Sequence, residues 1–162
     1  MGTRSLTVFK DKDKEIAVLY RQMDGYPSGQ GADLDAILAK GNIVNGYGGN
    51  MPGKAFNGMS DLAVRTIVDL KTGGQEYHND IGGFYLYPAG TRDCGEEYIY
   101  TVYADKNNQV CIRVHAVYGD VTLYDGKPEG LVAGCEKTQK RLDKAADKRE
   151  KAANKKNKVT SK

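Results

Sequence analysis

An α+β fold is predicted for this chain. Period-two segments at both ends of residues 1–135 enclose two helix-period segments, and turn residues punctuate each junction. The expected architecture is an antiparallel sheet, built from an N-terminal hairpin and a C-terminal meander. Two helices lie on one face, and a basic helical tail follows. The 162 residues fit one domain, taken as residues 1–135, with 136–162 as a solvent-exposed helical or disordered tail.

The hairpin comes first. Leu6 and Val8 alternate with Ser5, Thr7 and Phe9; Ile16, Val18 and Tyr20 alternate with Ala17, Leu19 and Arg21. Such period-two runs are half-buried strands, and Asp11-Lys12-Asp13-Lys14 between them is a solvated turn. Asp24-Gly25-Tyr26-Pro27-Ser28-Gly29 is dense in turn formers: glycine permits positive φ, proline fixes φ, and Asp24 can bond the local backbone. Leu34, Ile37 and Leu38 stand at helical spacing and predict a short helix over about residues 31–40, stopped by Gly41. Residues 41–59 read as a long loop rich in glycine and asparagine, a kind that is often functional or disordered. Ser60 is a good N-cap for a second helix carrying Leu62, Ala63, Ile67 and Leu70 on one face, ended by Gly73-Gly74. Segments around 82–88, 96–104, 109–118 and 121–124 return to period two and predict the meander. Within it, Val110, Ile112, Val114 and Ala116 share one face, and Cys111, Arg113, His115 and Val117 the other.

The formal net charge of +3 is a sum of two unlike parts. Residues 1–135 carry 13 Lys+Arg against 17 Asp+Glu, a net of −4; residues 136–162 carry 11 against 4, a net of +7. No run of about 18 apolar residues is present, so no membrane-spanning helix is expected. Cys94, Cys111 and Cys135 are odd in number and widely spaced, which favours free thiols in a reducing compartment. Residues 1–14 lack the apolar stretch of a signal peptide, and a cytoplasmic location is expected.

The motifs that could carry chemistry each have a plain alternative. Gly48 to Ala55 fits GxxxxGK, but a phosphate-binding P-loop needs Ser or Thr where Ala55 stands, and Ile43-Val44 is short for the strand that should precede it. The milder reading is a flexible loop whose amides contact an anion. Cys111 and His115 suggest a nucleophile and base, yet i and i+4 on a strand stand roughly 13 Å apart. His78-Asn79-Asp80 and Asp93/Glu96/Glu97 offer too few or wrongly spaced ligands for zinc or calcium, so neither a metal nor a cofactor is predicted. Tyrosines crowd the second half; on a sheet, Tyr98 and Tyr100 project together, either to stack bases or to pack under a helix. In the tail, Lys140, Arg141, Lys144, Lys148 and Arg149 are candidates for weak, salt-sensitive contact with nucleic acid, or simply promote solubility.

Thr3-Arg4-Ser5, then Tyr20, then Asp24-Gly25-Tyr26-Pro27 and Gly31 form a specific string. It resembles small uncharacterised proteins of bacteriophages and bacterial genomes that begin with TRS and continue after one hairpin into a Y-x-x-W-D-G-Y-P-like segment. Met23 stands where that family often has Trp. The resemblance covers about the first 40 residues, with Phe56-Asn57-Gly58 as a possible extension. It implies a phage or prophage setting and so a bacterial host cytoplasm, but carries no established activity.

Read physically, Arg4 and Asp24 fall at the same end of an antiparallel hairpin, with Ser5, Tyr26 and Ser28 beside them. An Arg–Asp pair there would pin the turn, or the arginine would clamp a phosphate or carboxylate. The candidate ligand site is Arg4, Ser5, Asp24, Tyr26 and Ser28, together with Asn45 and Asn57 of the long loop. The leading expectation is a phage-type accessory protein that binds a small nucleotide-like anion or a host protein, without catalysis. Alternatives are a nucleotide- or phosphodiester-processing enzyme with Asp24 or His115 as base, and a virion or assembly protein whose tail meets nucleic acid.

Overall fold

The computed structural model describes residues 2–46, 54–73 and 83–160. It is α+β, as expected, but its main sheet is mixed rather than antiparallel. Six strands run in the order β5-β2-β1-β6-β7-β8: β1 is Ser5–Asp11, β2 Lys14–Arg21, β5 Phe84–Tyr87, β6 Tyr98–Ala104, β7 Val110–Ala116 and β8 Val121–Gly126. The N-terminal hairpin is present, with Leu6 opposite Tyr20 and Val8 opposite Val18. Strands β6, β7 and β8 form the expected meander. The segment 84–87 does not join that meander; it pairs antiparallel with β2 at the opposite edge of the sheet. To reach β6 the chain must cross back over β2 and β1, so β6 enters parallel to β1, with Ser5 opposite Tyr98 and Phe9 opposite Val102. Period two marks a strand but names neither its neighbour nor its direction, which is why the parallel pair was not foreseen.

A single π-helical turn, Pro27–Gly31, leads into α1 (Ala32–Leu38); α2 spans Gly58–Thr72 and α3 Leu131–Thr160. Two junctions differ from expectation. Helix α1 ends with Lys40 in the left-handed region (φ 58°), not Gly41. Gly41 is glycine for space: a Cβ there would meet the Leu38 carbonyl oxygen at 2.8 Å and the side chain of Val110 at 2.9 Å. Helix α2 begins before Ser60, and its first-turn Asp61 carboxylate accepts a hydrogen bond from the Asn57 amide at 2.9 Å. The long loop also holds structure: β3 (Gly41–Val44) and β4 (Lys54–Asn57) form a small parallel pair, so Ile43-Val44 is a strand after all. The intervening residues 47–53, and His78-Asn79-Asp80, lie outside the described residues.

The larger core lies between one sheet face and the helices. Phe9, Leu19, Tyr100, Val102, Ile112 and Val114 meet Leu34 and Leu38 of α1, Leu62, Ala63 and Leu70 of α2, and Leu131 and Cys135 of α3. Three helices therefore share this face rather than two, since the first turns of α3 are buried. The other face holds a smaller cluster of Leu6, Val8 and Val18, with Tyr20, Tyr87, Cys94 and Ile99 packed against it. Strand β1 is buried on both sides, each enclosed aliphatic side chain contributing about 1.5–3 kcal/mol. On β7 the predicted division of faces holds: Val110, Ile112, Val114 and Ala116 all belong to the helix-side core.

Candidate functional site

The N-terminal string folds into one unit. The Gly25 amide donates to the Thr3 carbonyl at 3.0 Å, and the amides of Glu97 and Tyr98 both point to the Arg4 carbonyl. A Cβ on Gly25 would stand 2.7 Å from the Arg4 carbonyl carbon and 2.8 Å from Ser5. Glycine is thus required where the turn lies flat on the first strand. Asp24 takes a left-handed conformation (φ 57°) that aspartate tolerates better than most residues. The Tyr100 hydroxyl, fully buried, donates to the Gly25 carbonyl at 2.9 Å.

Arg4, Ser5, Asp24, Tyr26 and Ser28 are accordingly brought to one end of the sheet. The Asp24 carboxylate accepts from the Tyr26 hydroxyl at 3.0 Å, and that bond pushes the phenol of Tyr26 upward in pKa. Among the described residues no ion pair joins Arg4 to Asp24. The turn is pinned instead by Arg21, which the sequence reading passed over. Its Nη1 donates to Gln30 at 2.7 Å and to Asp33 at 2.6 Å, and its Nε to the Met23 carbonyl at 2.7 Å. Gln30, fully buried, in turn donates to Thr7 at 2.8 Å. The visible signal was an arginine closing a strand just before a turn. Ser5 faces inward, and its buried hydroxyl has no hydrogen-bond partner among the described residues. Ser28 lines a small cavity of about 170 Å³ with Pro27, Tyr98 and Cys135.

Asn45 and Asn57 are not part of this group. Both are exposed, and the Asn57 side chain accepts from the Gly46 amide at 2.9 Å, bracing the ends of β3 and β4. That strand pair is anchored to the turn between β6 and β7, through the Ile43 amide on the Asn108 carbonyl and the bridge of Asn42 with Gln109. This turn is at the far end of the sheet from Arg4, about 20 Å along a strand of this length. Lys54, the lysine of the GxxxxGK pattern, donates to the Ala36 and Ile37 carbonyls at 2.8 and 2.7 Å, capping the end of α1.

The three thiols are held in their protonated form by burial. Burial raises the thiols of Cys94 and Cys111 and pushes Cys135 up to about 12; a catalytic thiol needs the opposite shift. His115 Nε2 faces Asp120 at 3.4 Å. Glu96 folds its carboxylate back onto the Asp93 and Cys94 amides at 3.2 and 2.7 Å. Tyr98 and Tyr100 point towards the helices, so packing is their role. Tyr20 forms a separate aromatic cluster with Tyr85 and Tyr87, with ring centres 5.9 and 5.8 Å apart.

The basic residues of the tail sit on α3, whose anchored part borders a groove of about 890 Å³ beside β8. Its lining includes Leu123, Tyr124, Lys137, Lys140, Arg141 and Lys144. A bulge in the β7–β8 register turns both Leu123 and Tyr124 towards α3. Gly134 rests on the Tyr124 ring, where a Cβ would come within 2.4 Å. No family model, curated protein or solved structure matches this chain.

Proposed function

We propose that this chain acts by binding rather than by catalysis, holding a nucleotide-like anion, or an acidic group of a host protein, at the Arg4 end of the sheet. One observation carries the reading. Residues 1–135 contain five arginines, and Arg21, Arg65, Arg92 and Arg113 each pair with a carboxylate. Arg4 alone has no ion pair among the described residues. Its guanidinium lies against Gly95, where no side chain intervenes. An uncommitted, planar, five-donor group is suited to a phosphate or carboxylate. Tyr26, 38% exposed, offers a ring face for a base, and Asp24 an acceptor for a sugar hydroxyl or an exocyclic amine. Asn45 and Asn57 are left out of the proposed site because their strand pair is anchored elsewhere. The resemblance to phage proteins supports an accessory role in a host cell, such as counter-defence or host takeover.

A thermal-shift panel of mono-, di- and cyclic nucleotides tests the reading, because a ligand that binds only the folded state raises the melting temperature. At least one nucleotide should do so. Arg4→Ala should weaken that ligand by about 10- to 100-fold, the loss of a charge-assisted contact worth about 1.5–3 kcal/mol. Arg4→Lys should recover part of it. A flat panel would overturn the nucleotide reading, and an Arg4→Ala protein that responds like the parent would overturn the site.

A further inference from the structure

On α3, Lys137, Lys140, Lys144, Lys148 and Lys151 recur at steps of three and four, and Arg141 falls on the same side. At about 100° per residue they fall within a stripe about 100° wide. Glu136, Asp143, Asp147 and Glu150 all lie to one side of it, and Arg149 stands apart. All six stripe residues are exposed, and among the described residues none enters an ion pair. The stripe begins at the groove beside β8 and continues along the part of the helix that leaves the body; residues 143–160 of that part span about 27 Å. We infer that this stripe is a track for a nucleic-acid phosphodiester backbone. The inference is independent of the Arg4 site, and either can fail alone.

Three observations select the occupant. Like charges three and four residues apart destabilise a helix by a few tenths of a kcal/mol each. The stripe stacks several such pairs, a cost that a polyanion relieves. It contains no aromatic or large apolar side chain, so it lacks the anchors of a protein interface and the apolar face of a membrane-surface helix. Phosphate neutralisation needs only the charges. The acidic body, at −4, confines contact to the helix.

The test uses the full chain with a labelled single-stranded RNA, a labelled DNA duplex, polyglutamate and phosphatidylserine vesicles, each titrated at several salt concentrations. Nucleic acid should bind weakly, with affinity falling steeply as salt rises. Lys144→Gln, Lys148→Gln and Lys151→Gln together should flatten the logarithmic salt slope by about 2–3, at about 0.7–0.9 per lost contact. Lys12→Gln, Lys14→Gln and Lys106→Gln together change net charge equally, at exposed turn and strand-end positions, and should leave the slope unchanged. Glutamine is nearly as good a helix former as lysine, and circular dichroism checks that the helix persists. Preference for RNA or for duplex tells which source supplies the backbone, and either result supports the track. Equal flattening by both triples, no binding to either nucleic acid, or tighter retention of polyglutamate or vesicles would overturn it.

Discussion

At Glu15 one carboxylate holds two segments at once. It accepts from the Gly90 amide at 2.8 Å and takes both terminal nitrogens of Arg92, the closer at 2.5 Å, fastening the crossing segment between β5 and β6 to the first hairpin. The Arg92 hydrogen bond pulls the Glu15 pKa below its ordinary value of 4.5, against the opposing effect of burial. The sign follows: a depressed carboxylate stabilises the fold above its unfolded value and loses that contribution as pH falls through the folded one. Thermal midpoints measured from neutrality to below pH 4.5 should therefore decline in acid, and Glu15→Gln should decline less while starting lower at pH 7. Solvent screening keeps the neutral-pH difference to about 1 kcal/mol or less. Ser5 gives the reverse case. Its buried hydroxyl lacks a partner among the described residues, and such a group costs about 1–3 kcal/mol. Ser5→Ala should leave the denaturation midpoint unchanged or raise it, and a clear loss would show that the hydroxyl is bonded.

The helices divide into legible and illegible parts for identifiable reasons. Leu34 and Leu38, and Leu62 and Leu70, announced α1 and α2 by spacing alone, and all four are buried. The start of α3 was obscured because Leu131 and Cys135, its buried anchors, precede a long stretch of lysine and alanine that reads as a free tail. At the candidate site, antiparallel pairing was enough to place Arg4 and Asp24 at one end. It could not show that Arg21 would tie the turn, since a side chain's partner depends on rotamer and depth as well as register. Loop composition grouped Asn45 and Asn57 with that site, but β3 and β4 are held by the β6–β7 turn, a tertiary contact without local signature. Gly134 sets how closely α3 approaches β8. Gly134→Ala should lower stability by about 1–3 kcal/mol in urea denaturation, because the Tyr124 ring must move to admit a methyl group.

For the molecule as a whole, the distal half of α3 and the body should be separable. Residues 143–154 are exposed, so a chain ending at Asp143 should keep the parent's thermal midpoint in calorimetry. A chain ending before Leu131 should unfold, having lost the side chains of Leu131 and Cys135 from the main core. Both edges of the six-stranded sheet, β5 and β8, are narrow, four and six residues long, which limits strand-to-strand association between copies.

The parallel pairing of β1 with β6 also sets a timetable. The first strand leaves the ribosome with only β2 to pair with, while its other neighbour starts about 90 residues later, a wait on the order of 5–20 s at ordinary synthesis rates. Until the crossing segment of residues 88–97 emerges, Leu6 and Val8 stay uncovered on their face, whereas α1 and α2 are made earlier and can already pack beneath Phe9. That face of the first hairpin therefore waits for its native cover until after α1 and α2 have been made, and β6, the second neighbour of β1, is followed in turn by β7 and β8.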